Sequence, residues 1–318
     1  MGYVTTSQGS DTVLADDERL YVAPLTGQLM PVGSTELFVR TAGDPATATD
    51  RTQSVFLHGL GGSSTNWTEL MYLLSGTTFG IAPDLPGFGQ SPPPVDDDYK
   101  LANNAAIVAE LLRDQFGARP VHVFGNSMGG ATAVQLAARY PDLIKSLTLI
   151  SPALPALIPR RSSIHLPITA IPGVGEHLLR RLARQDPEWR VNASMNICYS
   201  DTNRIDPRRV ADQVAEAKER DKLAHAPDAM LLSLRGIIES YFDRSPDRPW
   251  QLAASITAPT LLIYGRDDKL VNPKIALQAS KRFPNARVMV VPDSGHVTQM
   301  EHPKLVARAW TELIADPD

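Results

Sequence analysis

The stretch "VHVFGNSMGGATA", residues 121–133, sets a serine between two glycines, where an apolar run gives way to an alanine-rich one. Val121 to Phe124 has strand character. From Met128 the apolar positions fall at helical spacing through Ala133, Leu136 and Ala137 to Tyr140. Ser127 therefore stands on a strand-to-helix turn. Gly125 and Gly129 have no side chains, so strand and helix can approach closely while Ser127 holds a strained backbone with its hydroxyl outward. A G-x-S-x-G turn in this context displays a nucleophile, and it predicts a base, an orienting acid and an oxyanion hole nearby.

The rest of the chain supplies a frame for that turn. Apolar runs recur at "ELFVRTA" (36–42), "SVFLHG" (54–59), "FGIAPD" (79–84), "SLTLIS" (146–151), "TLLIYG" (260–265) and "ARVMVV" (286–291). Helical patterns fill several gaps, at Leu101 to Phe116, Lys274 to Phe283 and Lys304 to Ile314. Alternating strand and helix predicts an α/β fold with a doubly wound, mostly parallel sheet. From 153 to 250 the rhythm breaks into proline-interrupted apolar stretches and helical segments such as "DPRRVADQVAEAKERDKLA" (206–224). This span reads as a helical cap inserted over the carboxyl ends of the strands, where open α/β sheets bind ligands. The expected layout is a leader and first extended segment over 1–33, core over 34–152, cap over 153–250 and core again over 251–318.

Composition narrows the function. The 318 residues are 43% hydrophobic and carry a net charge of −4, which gives no basic footprint for nucleic acid. A single cysteine, Cys198, cannot form an internal disulfide and fits a reducing compartment. The N-terminus lacks the apolar core of a signal peptide, and no segment offers a stable membrane span, so a cytoplasmic location is expected. Met1, Gly2 and Thr6 fit the loose myristoylation pattern, although an ordinary leader reads better. The composition is compatible with a homo-oligomer. No ligand spacing suggests a metal or an organic cofactor.

A serine hydroxyl needs a base to take its proton and a third group to hold that base. On this topology the expected order is serine, acid, histidine. Gly265-Arg266-Asp267-Asp268 follows the strand at 260, and Pro292-Asp293-Ser294-Gly295-His296 follows the strand at 286. Both loops fall on the rim that holds Ser127, which selects His296 as the base. The glycine-rich turn "LHGLGGSS" (57–64) can supply one oxyanion donor, the amide of Leu60 with Gly61 as the near alternative, and Met128 supplies the other. Gly59, Gly61, Asn126 and Val297 are expected beside the substrate. Leu154, Leu157 and Ile158, with Leu166, Ile168 and Ile171, would line an apolar acyl site under a mobile lid.

Gly125-Asn126-Ser127-Met128-Gly129, His58-Gly59, Asp84-Leu85-Pro86-Gly87-Phe88-Gly89-Gln90-Ser91, Gly265-Arg266-Asp267-Asp268 and Gly295-His296 stand in an order that resembles the α/β-hydrolase fold enzymes. The resemblance spans roughly residues 34 to 315. It implies Asp268 rather than Asp267 as the acid, and Asp84 as a brace rather than a reacting group. Serine at the turn implies the serine hydrolase branch and argues against dehalogenases and epoxide hydrolases, which carry aspartate there. "GNSMGGATA" and "GRDD" are similar to the carbon–carbon bond hydrolases of aromatic degradation. In those enzymes Asn126 and cap arginines such as Arg190 would handle a dienoate carboxylate. Their longer "HGxGPGA" loop and the tryptophan after the histidine are missing here. The expectation is therefore hydrolysis of a small, largely apolar carboxylic ester. Carbon–carbon hydrolysis and a non-catalytic ligand-binding protein stand as alternatives.

Overall fold

The computed structural model describes residues 20–44, 52–156 and 160–315. One sheet takes eight strands: β1 (Gly27–Val32), β2 (Thr35–Ala42), β3 (Thr52–Leu57), β4 (Thr78–Pro83), β5 (Val121–Asn126), β6 (Ile144–Ile150), β7 (Thr260–Gly265) and β8 (Ala286–Val291). Their order is β1-β2-β4-β3-β5-β6-β7-β8. The β1–β2 and β2–β4 pairs are antiparallel, and the strands from β4 across to β8 run parallel. Parallel neighbours need crossovers, which the helices Leu101–Phe116, Met128–Arg139 and Ile275–Arg282 supply. The Leu101–Phe116 boundaries are those expected from the sequence.

Helices cover both faces, which is why the central strands read as continuous apolar runs. All six residues of β5 are buried. On one face Val123, Leu149 and Leu262 pack under the helices at 101–116, 128–139, 249–255 and 275–282. On the other, Phe56 and Phe124 stack at 4.5 Å between ring centroids beneath Trp67 and Trp310. Burying a phenylalanine of this kind contributes about 2–3 kcal/mol. The elbow thus ends a strand held from above and below.

Among the described residues six α-helices lie between β6 and β7, the first five being His165–Ala170, Val174–Ala183, Pro187–Cys198, Pro207–Arg220 and Ala226–Phe242. Local chemistry sets two of the starts. Asp186 and Asp206 each accept the N–H two residues on, at 2.8 Å, and each is followed by proline at the first helical position. A further helix, Pro249–Ser255, packs on the Met128–Arg139 helix, so the interval expected as cap ends in a core element.

Half of the cap is fastened to the core. Arg209 forms an ion pair with Glu69 of the core helix Thr68–Leu74, both side chains 6% exposed, and also donates to Val22 O at 2.8 Å. A buried pair of this kind resists removal of either partner by about 3–5 kcal/mol. Val191, Met195, Tyr199 and Ala217 close a small core with Val297 of the histidine loop. Among the described residues no helix is long and apolar enough to cross a membrane. The myristoylation pattern at residues 1–6 lies outside the described residues.

Candidate active site

Ser127 sits between β5 and the helix Met128–Arg139 with φ 53° and ψ −114°, a left-handed backbone that is rare for a side chain this size. Its neighbours make the turn feasible. A Cβ on Gly125 would come within 2.6 Å of Gly129 O, and one on Gly129 within 2.1 Å of Leu57 O. Only glycine lets strand and helix meet this closely. Ser127 N–H donates to Ile150 O at 3.0 Å, and Ser127 O accepts from Ala131 and Ala153 N–H, which fixes the strained turn from three sides.

His296 Nδ1 lies 2.9 Å from Asp268 Oδ2, both side chains almost wholly buried. Asp268 Oδ1 accepts the N–H groups of Leu270 at 2.8 Å and Val271 at 2.9 Å. The carboxylate can only accept, so the imidazole proton is on Nδ1 and Nε2 carries a lone pair. Burial works to raise the Asp268 carboxyl. The attraction and hydrogen bond of His296 and the Val271 N–H outweigh it and hold the group below its ordinary value, ionised at neutral pH. Asp267 is exposed and accepts the cap hydroxyl of Ser200 at 2.8 Å, so Asp268 is the one of the two that meets the imidazole. The acid and histidine loops touch at Gly265, where a Cβ would meet Gly295 O at 1.9 Å.

The loop after β3 reaches the elbow from the other side. A Cβ on Gly59 would come within 3.3 Å of Ser127 Cβ. Gly62 N–H donates to Gly59 O at 3.1 Å, closing a tight turn in which Gly61 takes φ 73°. That turn bond leaves the Leu60 amide outside it. Met128 opens its helix, where the first N–H groups have no partner inside the helix. His58 fixes the turn: Nε2 accepts Leu85 N–H at 2.9 Å, so Nδ1 bears the proton toward Gly59 O at 2.8 Å. Burial drives its pKa down and keeps it neutral. Asp84 braces the same region, accepting Ser64 N–H at 2.7 Å, Ser64 O–H at 2.6 Å and Gln90 N–H at 2.8 Å.

The other residues expected at the substrate have the following surroundings. Asn126 is 3% exposed, and its Nδ2 donates to Ile150 O and His296 O at 3.0 Å each, so its amide ties the elbow to the end of β6 and to the histidine loop. Leu154 belongs to the main core, and Val297 to the small core beneath the cap. Ile168 and Ile171, expected to line an acyl site, are exposed to solvent, and Leu166 is half-buried. Leu157 and Ile158 lie outside the described residues. Arg190, the cation expected for a dienoate, pairs fork to fork with Asp221: Nη1 to Oδ1 at 2.9 Å and Nη2 to Oδ2.

Cap contacts that the sequence did not signal hold the loops in place. His296 N–H donates to Cys198 O at 2.6 Å. Glu301 joins the two segments, accepting Gly295 N–H at 2.6 Å and Ser200 N–H at 2.8 Å. Burial raises its carboxyl to about 7 against the pull of those N–H groups. On the opposite side Arg220 Nη1 donates to Gly61 O at 2.7 Å. The spacing His296-x₄-Glu301 is local and could have been noticed. The Arg220 contact, 159 residues apart in sequence, leaves no pattern to find.

The sheet order, the serine turn and the imidazole–carboxylate pair at the strand ends define an alpha/beta hydrolase arrangement. The chain belongs to the alpha/beta hydrolase fold family, whose model matches residues 55–303. It is 27% identical over 253 residues to Lipase 1 of Psychrobacter immobilis, covering 78% of this chain and 72% of that one. It is 28% identical over 272 residues to a 2-hydroxy-6-oxononadienedioate/2-hydroxy-6-oxononatrienedioate hydrolase of Cupriavidus pinatubonensis, covering 82% and 85%. Among solved structures, a thermophilic esterase from Thermogutta terrifontis matches with a TM-score of 0.69 at 22% identity, over 91% of this chain and 98% of that one. At that identity the last match speaks to the fold.

Proposed function

We propose that the protein is a serine hydrolase that cleaves a carboxylic ester of a small, largely apolar acyl group through an acyl-enzyme on Ser127. The observation that carries this reading is the Asp268–His296 pair, which commits Nδ1 and leaves Nε2 as a base on the rim that holds Ser127. In the forward step His296 Nε2 takes the Ser127 proton as Oγ bonds to the ester carbon. The Leu60 and Met128 N–H groups receive the carbonyl oxygen as it becomes an oxyanion. Asp268 stabilises the imidazolium. The C–O bond to the alcohol then breaks, with the proton passing from Nε2 to the leaving oxygen. Water repeats the sequence on the acyl-enzyme and frees the acid.

The lipase relative supports ester chemistry, and the Cupriavidus relative supports carbon–carbon hydrolysis as the second reading. Arg190 weighs against the second, because its guanidinium is already committed to Asp221. A complete set of Ser127, His296 and Asp268 weighs against a ligand-binding role without turnover. The test is a series of p-nitrophenyl esters of graded chain length beside one dienoate ring-cleavage product. Each methylene buried in the site should raise kcat/KM by about fourfold over the first few carbons, from about 0.8 kcal/mol apiece. Cleavage of the dienoate with the esters ignored would replace ester hydrolysis by carbon–carbon hydrolysis.

A further inference from the structure

The outer half of the cap carries an apolar ridge that stands exposed among the described residues. Ile164, Ile168 and Ile171, then Val174, Leu178 and Leu182, are each between 39% and 65% exposed. Their spacing of three and four residues places them as successive stripes along the helices His165–Ala170 and Val174–Ala183. None of the six belongs to a buried cluster. Six large aliphatic side chains on two adjacent helices and their cap residues form a patch of the kind that marks an interaction surface.

The ridge is held in this orientation by its opposite side. A Cβ on Gly175 would strike Thr169 O at 2.0 Å and Leu231 Cδ1 at 2.6 Å, so the Val174–Ala183 helix seats closely at that one position. Glu176 pairs with Arg235 of the helix Ala226–Phe242 at 2.8 Å, and Arg235 Nε donates to Ala170 O at 2.9 Å. The helix therefore cannot roll its leucines inward without breaking an ion pair and losing a close contact. Exposure of the ridge is a property of the packed cap.

Charge says what covers it. Between residues 160 and 184 the sequence has five arginines and one acid, Glu176, in a chain whose net charge is −4. Arg235 neutralises that acid. Arg181 and Arg184 are exposed on the helix that carries Leu178 and Leu182. Pairing two copies of this face about a twofold axis would bring arginines against arginines, which disfavours self-association. An anionic bilayer satisfies both features, because aliphatic side chains enter the headgroup boundary while guanidinium groups pair with lipid phosphates. We infer that the ridge formed by Ile164, Ile168, Ile171, Val174, Leu178 and Leu182, with Arg181 and Arg184, docks the protein reversibly on an anionic phospholipid surface. The docking is independent of the reaction assigned to Ser127.

The experiment is co-sedimentation of the full chain with phosphatidylcholine vesicles and with mixed phosphatidylcholine–phosphatidylglycerol vesicles at low and high salt. Binding to the mixed vesicles should exceed binding to phosphatidylcholine alone by about tenfold or more and weaken with salt. Leu178→Ser with Leu182→Ser should lower partitioning by at least about tenfold. Arg181→Gln with Arg184→Gln should remove most of the preference for the anionic lipid, with the thermal unfolding of both variants unchanged. Equal binding to the two vesicle types, or binding to neither, would overturn the inference. So would a dimer seen by light scattering that dissociates on Leu178→Ser, since a second copy would then own the ridge. Because the readout is partitioning, its failure leaves the ester reading untouched, and loss of ester turnover leaves the docking untouched.

Discussion

The backbone N–H of His296 donates to the carbonyl of Cys198 at 2.6 Å, so the loop that carries the proposed base is built partly from the cap. Gly295 has no room for a side chain there, since a Cβ would lie 2.3 Å from the same carbonyl. Together with the Arg209–Glu69 pair, this makes the span 187–220 a fixed brace.

Glu301 gives that brace a pH dependence. Burial holds its carboxyl at about 7, above its ordinary value of 4.5, so the folded state disfavours the ionised form relative to the unfolded chain. Its contribution to stability is therefore full below about pH 4.5 and is lost as pH rises through about 7, by a few kcal/mol at most. Arg204 and Asp268, the charged neighbours, act in opposite directions on it. Glu301→Gln does not titrate. The difference in melting temperature between wild type and variant should therefore move against the wild type between about pH 5 and pH 8, and a flat difference would contradict the assignment.

Asp268 and Asp267 are adjacent in sequence and opposite in environment. Asp268→Asn should lower kcat on a p-nitrophenyl ester by ~10⁴, the size of loss seen when the orienting acid of a protease triad is replaced. Asp267→Asn removes a surface contact with Ser200 and should cost far less. A reversed order of damage would move the triad by one residue.

The buried Arg209–Glu69 pair is expected to fail asymmetrically. Arg209→Met leaves Glu69 uncompensated and should destabilise the fold by about 3–5 kcal/mol in urea unfolding. Adding Glu69→Leu should recover most of that loss. If the double variant were as unstable as the single one, the pair would matter for some reason other than an unpaired charge.

Much of this architecture was legible in the sequence because parallel strands buried on both faces must be apolar throughout, as β5 and β7 are. Strand β1 carried no such signal: an edge strand paired antiparallel and largely exposed reads as extended chain. Ser127, His296 and the Asp267-Asp268 pair stood out because each sits in a short loop directly after a strand, and the resemblance to the α/β-hydrolase fold enzymes singled out Asp268. The partners of Asn126 and Val297, His296 O and the cap core, come from far along the chain and have no period to detect. For Ile168 and Ile171 the sequence showed apolar residues in a proline-broken stretch without the direction they face, and in the fold they are exposed.

Arg190 separates the two hydrolytic readings. Its side chain is 15% exposed in the pair with Asp221, so the fold of Arg190→Ala is checked by its melting temperature beside the kinetics. Ester turnover should stay within a few fold of wild type. A steep loss on a dienoate that the wild type cleaves well would instead give this guanidinium a carboxylate to bind.

The most direct test of the central claim is mass spectrometry of the intact protein after incubation with a fluorophosphonate. A single adduct that maps to Ser127 is expected, absent in Ser127→Ala and formed far more slowly in His296→Ala, with both variants folded. Absence of an adduct on the folded wild type, or an adduct retained in folded Ser127→Ala, would contradict Ser127 as the nucleophile.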